Sequence, residues 1–212
     1  MNKFLLLFII FSQSIFSQIN YLDQGNKYLN ENKNIEAEKT FREGIKSDSL
    51  NLVYRCQLAL SLINQNRNNE AEIEIQKVVQ KDSLNVGALW YGGINNYTSK
   101  KYNFRKAVYY FEKAYPLINK NAPQYFGVNY FIGKCYQNLL YTEGISYEET
   151  SRMLETLKTY STLQPNADDA NDINKFIAKI EKQRPPSNVK KWVLTNSEEK
   201  TKELIENEMH KK

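Results

Sequence analysis

Apolar positions recur at three- and four-residue intervals through four successive stretches, 19–31, 35–47, 52–65 and 69–81. That spacing is the one amphipathic helices show. Short asparagine-rich runs, NENKN and NQNRNN, separate the first stretch from the second and the third from the fourth, and they suit tight helix-to-helix connections. The pattern predicts two helical hairpins, and the second is a copy of the first. DSLN at positions 48–51 returns at 82–85, an interval of 82 − 48 = 34 residues. The same interval pairs Gly25 with Ala59, Ala37 with Ala71, Phe41 with Ile75 and Gly44 with Val78. Repetition at this period predicts a solenoid of stacked hairpins. Gly25 and Ala37 are expected where the two helices cross most closely, so that a larger side chain there costs about 1 to 3 kcal/mol by overpacking.

A third unit, GGINNYTSKKYNFRKAVYYFEKA, keeps the interval at Gly93, since 93 − 59 = 34, and carries Ala107, Phe111 and Ala114. Because 107 − 71 = 36, its inter-helix turn is two residues longer. A fourth unit holds Gly133 and Tyr136 after a helix start at Asn121 and Pro123. Its second helix, from Tyr147, begins late and lacks the alanine. After Pro165, Ile173, Phe176, Ile177 and Ile180 share one face, which predicts a helix capping the open end of the stack.

The stretch from Gly25 to Gly44, with Gly25, Tyr28, Ala37, Phe41 and Gly44 in order, resembles the tetratricopeptide repeat family. The resemblance covers about residues 18–183. It implies an all-α, right-handed superhelical solenoid of about four antiparallel hairpins plus a C-terminal capping helix. The domain reading is a segment 1–17, a solenoid 18–184 and a tail 185–212.

Segment 1–17 has one lysine, Lys3, an unbroken apolar run from Phe4 to Phe11, and small and polar residues after it. This is the pattern of a secretory signal peptide, cleaved after Ser17 or Ser14, and it is too short to span a bilayer, which takes about 20 apolar residues. The expected protein is therefore exported, periplasmic or extracellular, with no integral membrane segment once cleaved and a net charge of 5 − 1 = +4. Lysines and arginines alternate with glutamates instead of gathering in a stripe, which argues against nucleic acid as a partner. Cys56 and Cys135 fall on first helices two repeats apart, and are expected to be free and buried.

Candidate chemistry is sparse. The single histidine, His210, stands in the lysine-rich tail, and no glycine-rich phosphate loop or G-x-S-x-G occurs, so no enzyme, cofactor or metal is expected. The acidic pairs Glu148-Glu149, Asp168-Asp169 and Glu198-Glu199 read as first-turn residues of helices. Asn96-Tyr97-Thr98 is a formal glycosylation sequon. Binding is the better reading. On each first helix the positions three before, one after and four after the small residue share a face, and the resemblance implies that this face lines a concave groove. The set is Leu22, Asn26 and Leu29; Cys56, Leu60 and Ile63; Trp90, Ile94 and Tyr97; Tyr130, Lys134 and Gln137. Of these, Asn26, Leu29, Leu60, Ile63, Trp90, Ile94, Tyr97, Tyr130, Lys134 and Gln137 are the candidate partner-binding residues, for a protein or peptide. The family's carboxylate clamp is matched by Asn26 alone; Leu22, Gln57, Gly87 and Tyr91 stand at the other clamp positions. One alternative is a structural envelope subunit whose groove is filled by its own tail, around Trp192. Another is a catalytic or carbohydrate site near Tyr130, Lys134 and the loop 141–147.

Overall fold

A computed structural model describes residues 20–194. The segment 1–17 and, in the tail, Ser197, Glu198, Glu199 and His210 lie outside the described residues.

The described residues form four helical hairpins and a closing helix. The pairs are α1 (Tyr21–Asn30) with α2 (Asn34–Ser47), α3 (Leu52–Asn64) with α4 (Asn68–Lys81), α5 (Val86–Thr98) with α6 (Phe104–Ala114), and α7 (Pro123–Thr142) with α8 (Tyr147–Leu163), followed by α9 (Ala170–Gln183). Each helix packs on the next in sequence, and α3 also packs directly on α1 and α5. First helices therefore crowd together and take the inside of the stack, leaving second helices outside.

DSLN is a turn and a helix cap in one. Asp48 Oδ1 accepts the backbone N–H of Leu50 at 3.0 Å and of Asn51 at 3.2 Å, and the Asn51 side chain accepts Val53 N–H at 3.1 Å to start α3. In the second copy Asp82 holds Leu84 N–H at 3.2 Å, and Asn85 caps α5 through Ala88 N–H at 3.1 Å. The aspartate makes the turn and the asparagine satisfies an otherwise unpaired helical donor. The asparagine-rich turns inside the hairpins have a different reason. Asn32 and Asn66 adopt φ of 57° and 59°, a left-handed conformation that asparagine tolerates better than most residues.

The first and third hairpins close on a ring laid over a glycine. A methyl group at Gly25 or Gly93 would run into the ring of Phe41 or Phe111, and one at Gly133 would lie 2.5 Å from Leu157 Cδ2. Ala37, Ala59, Ala71 and Ala107 are fully buried at the other crossings. Leu157 registers the fourth hairpin, because it stands over Gly133 as Phe41 stands over Gly25. Four residues before it, at the place of Ala37, is Met153, completely buried. The missing alanine is thus replaced by a methionine. The hairpin is also longer, with 20 residues in α7 and 17 in α8 against 10 to 14 in the other paired helices. Its loop ends in a capping box of Ser146 and Glu149.

The capping helix buries Ile173, Ile177 and Ile180, with Phe176 half-buried. Asp168 and Asp169 precede α9 instead of opening it, because Asp169 Oδ1 is taken by the Tyr160 hydroxyl at 2.9 Å. Beyond Pro185 and Pro186 the chain turns back. Trp192 and Ile145 exchange both backbone hydrogen bonds, at 2.9 and 2.8 Å, and Leu194 N–H caps Leu140 O at 2.9 Å. Gly144 permits this strap. It sits at φ +84°, and a methyl there would meet Val193 Cγ2 at 2.6 Å. Arg105 reaches across from α6 to donate to Gly144 O at 2.8 Å and to pair with Glu143 and Glu149.

Cys56 and Cys135 are free and buried. Burial pushes the Cys56 thiol up to about 11 and raises that of Cys135 further. Both are expected to resist iodoacetamide at pH 8 in the folded protein and to react fully in urea, as mass spectrometry would show. Gly93→Leu is expected to destabilise the fold by at least about 2 kcal/mol in urea unfolding. Gly87→Ala, where a methyl meets nothing nearer than 3.5 Å, is expected to change stability by less than about 1 kcal/mol.

Candidate partner-binding groove

The ten predicted residues lie on the four inner helices, because the small residue of each helix faces its partner and the positions around it turn inward. Asn26, Leu29, Leu60, Trp90, Ile94, Tyr97, Tyr130, Lys134 and Gln137 are half-buried. Ile63 is buried at 8% exposure, and its neighbour in the set Cys56 at 7%, so these two belong to the packed interior between hairpins. Leu22, Leu29, Trp90, Ile94, Tyr97 and Tyr130 each rest one side on that interior.

Three predicted aromatics converge on a residue that sequence reasoning missed. Phe131 takes Trp90 edge-on at 5.9 Å between ring centroids, Tyr97 at 5.2 Å and Tyr130 at 5.4 Å, and stacks on Phe111 at 5.2 Å. Trp90 also lies over Gly127, where a methyl would come within 3.0 Å of its indole. Each such aromatic pair contributes about 0.5 to 1.5 kcal/mol beyond area burial, so the wall is a rigid joint between the third and fourth hairpins as well as a surface. The signal for Phe131 was its place two residues before Gly133, where the third repeat carries Tyr91 before Gly93. Burial raises the phenol of Tyr97 to about 12 and that of Tyr130 above its ordinary value, so both present neutral hydroxyls.

Behind the groove a polar lock orients α5. Glu72 of α4 accepts from Tyr110 at 2.6 Å, Lys106 at 2.7 Å, Gln76 and Asn96 at 3.0 Å and Asn95 at 3.2 Å. Burial opposes its charge, but the hydrogen bonds from Lys106, Tyr110, Gln76 and Asn96 outweigh it and bring its carboxyl down to about 2. Asn96 is 8% exposed, and its Nδ2 also donates to Gly92 O at 2.9 Å. The folded chain therefore does not present the sequon's nitrogen for glycosylation. Among the described residues no cluster of histidine, cysteine or acids is placed to hold a metal, and no helix is long and apolar enough to cross a membrane.

No family model matches the chain and no curated protein matches it in sequence. Solved structures match its shape. One MamA crystal structure is 18% identical, with a TM-score of 0.59 over 77% of this chain and 82% of that one; the structure of a MamA mutant is 14% identical, at 0.60 over 79% and 90%. A putative kinesin light chain of Podosopora anserina with nearly identical TPR-like repeats is 12% identical, at 0.52 over 77% and 94%. The fold is a tetratricopeptide-repeat solenoid. Its inner helices carry the candidate residues, and tetratricopeptide-repeat geometry accounts for the glycine and alanine crossings at one interval.

The Glu72 lock sets a pH dependence. Its folded-state carboxyl titrates below its unfolded value, so its contribution is complete above about pH 4.5 and is lost as pH falls toward about 2. Between pH 5 and 2 the urea midpoint of the wild type is expected to fall more steeply than that of Glu72→Gln.

Proposed function

We propose that this protein is a non-catalytic interaction scaffold of the cell envelope that holds a partner protein or peptide in the groove lined by α1, α3, α5 and α7. One observation carries the reading. On successive inner helices Leu29, Leu60, Trp90, Ile94, Tyr97 and Tyr130 are half-buried and keep part of their surface open to solvent, while the inner-helix cation Arg55 is taken by Glu74 of α4. A largely apolar, aromatic-rich wall built on rigid helices anchors an extended or helical segment with little ordering cost on its own side. The signal-type segment 1–17 supports export, and the inner wall's lack of a cationic set argues against capture of a C-terminal carboxylate.

Cross-linking pull-down from the native envelope tests this with two surface variants. Leu60→Lys, on the inner wall, is expected to lose the partner recovered with wild type. Ile73→Lys, 55% exposed on α4, is expected to keep it. Circular dichroism should show both folded. The reverse outcome would move the contact to the outer helices and overturn the groove.

A further inference from the structure

Charge is spread unevenly along the chain. From residue 18 to 169, 18 lysines and arginines stand against 17 aspartates and glutamates, a net of 18 − 17 = +1. From 170 to 194 six cations, Lys175, Lys179, Lys182, Arg184, Lys190 and Lys191, stand against Asp172 and Glu181, a net of 6 − 2 = +4. Residues 195–212 add 4 − 5 = −1, so the C-terminal end stays positive with its tail counted.

The packing of α9 turns its lysines outward. Ile173, Ile177 and Ile180 are buried, and Lys175, Lys179 and Lys182, spaced i, i+4 and i+7, share the exposed side. Both acids of this stretch are engaged, Asp172 at 3.6 Å from Lys175 and Glu181 at 2.5 Å from Lys158 of α8. Arg184 is occupied too, stacked on the Tyr147 ring at 3.5 Å and donating to Tyr147 O at 2.8 Å. Lys179 and Lys182, with the exposed strap lysines Lys190 and Lys191, have no carboxylate within ion-pair distance among the described residues. These ammoniums are dispersed over a surface and converge on no point, which suits an extended anionic surface better than a small anion. Between the α9 lysines stand only Asn171, Asp172 and Ala178, so the face lacks the large apolar anchors that carry a protein interface. Lipid headgroups need no such anchor, because they rearrange around the cations they meet.

We propose that the exposed face of α9, with the strap lysines at the same end of the solenoid, is a peripheral docking surface for a bilayer bearing anionic lipid headgroups. Because α9 closes the stack, a chain lying on this face holds its hairpins out from the bilayer, with α1 farthest and the groove open. The docking does not rest on the groove reading above.

Vesicle flotation of the chain from Gln18, which keeps every described helix, tests the docking on phosphatidylcholine vesicles with and without about one-third phosphatidylglycerol. The protein is expected to float with the anionic vesicles alone, and to be released by about 0.5 M salt, which screens charge beyond a few ångströms. Each lysine near such a surface multiplies partition about fivefold. The triple change Lys175→Gln, Lys179→Gln, Lys182→Gln is therefore expected to weaken binding at least about thirtyfold. Changing three exposed lysines elsewhere, Lys27→Gln, Lys39→Gln, Lys100→Gln, lowers the net charge equally and should leave binding within about threefold. Circular dichroism should show both variants folded. No flotation, equal flotation on neutral vesicles, or an equal loss in the two variants would overturn the proposal. Capture on polyglutamate without flotation would overturn it as well, giving the face to an acidic protein. Neither variant touches Leu60, so this test and the groove comparison fail separately.

Discussion

A ring or branched side chain pressed onto a glycine is the contact on which this architecture depends. Phe41 on Gly25, Phe111 on Gly93 and Leu157 on Gly133 let two helices approach until their apolar stripes exclude water. The 34-residue interval repeats that approach from the first hairpin to the third, and the inner helices, crowded side by side, become one wall.

The wall owes its character to what lies behind it. Charge is drawn outward or locked between layers, as Glu72 is by Lys106, Tyr110 and Asn96, and Glu38 by Arg42, Arg67 and Gln65. What remains on the inside is mostly apolar and aromatic, with Asn26, Lys134 and Gln137 among it, and around Phe131 it is also the joint between the third and fourth hairpins. Surface and joint are the same residues, so a bound segment would meet a wall that yields little.

Much of this was legible from spacing alone. Repeated small residues marked the crossings, and the first three hairpins fell where the intervals placed them, because a close crossing admits only glycine or, in the second hairpin under Ile75, alanine, and leaves a clear trace. The fourth hairpin was harder to register. Met153 does the alanine's task with a flexible side chain, and α7 and α8 each extend beyond the usual length, so neither composition nor interval pointed to the crossing. Phe131 escaped notice because its neighbour Tyr130 occupied the expected face. The strap was legible only as a short apolar patch, since a single antiparallel bridge at Ile145 depends on the backbone of Gly144 rather than on a side-chain pattern.

The strap also makes the two ends of the solenoid unequal. Hairpins in such a stack touch only their neighbours, so opening spreads from an end. At the C-terminal end, Trp192, Leu194 and Arg105 tie the last hairpin back to itself and to α6; at the other end α1 is held by α2 and by its edge on α3. Among the described residues the backbone strap at the C-terminal end thus has no counterpart at α1, and the two ends are held by different kinds of contact.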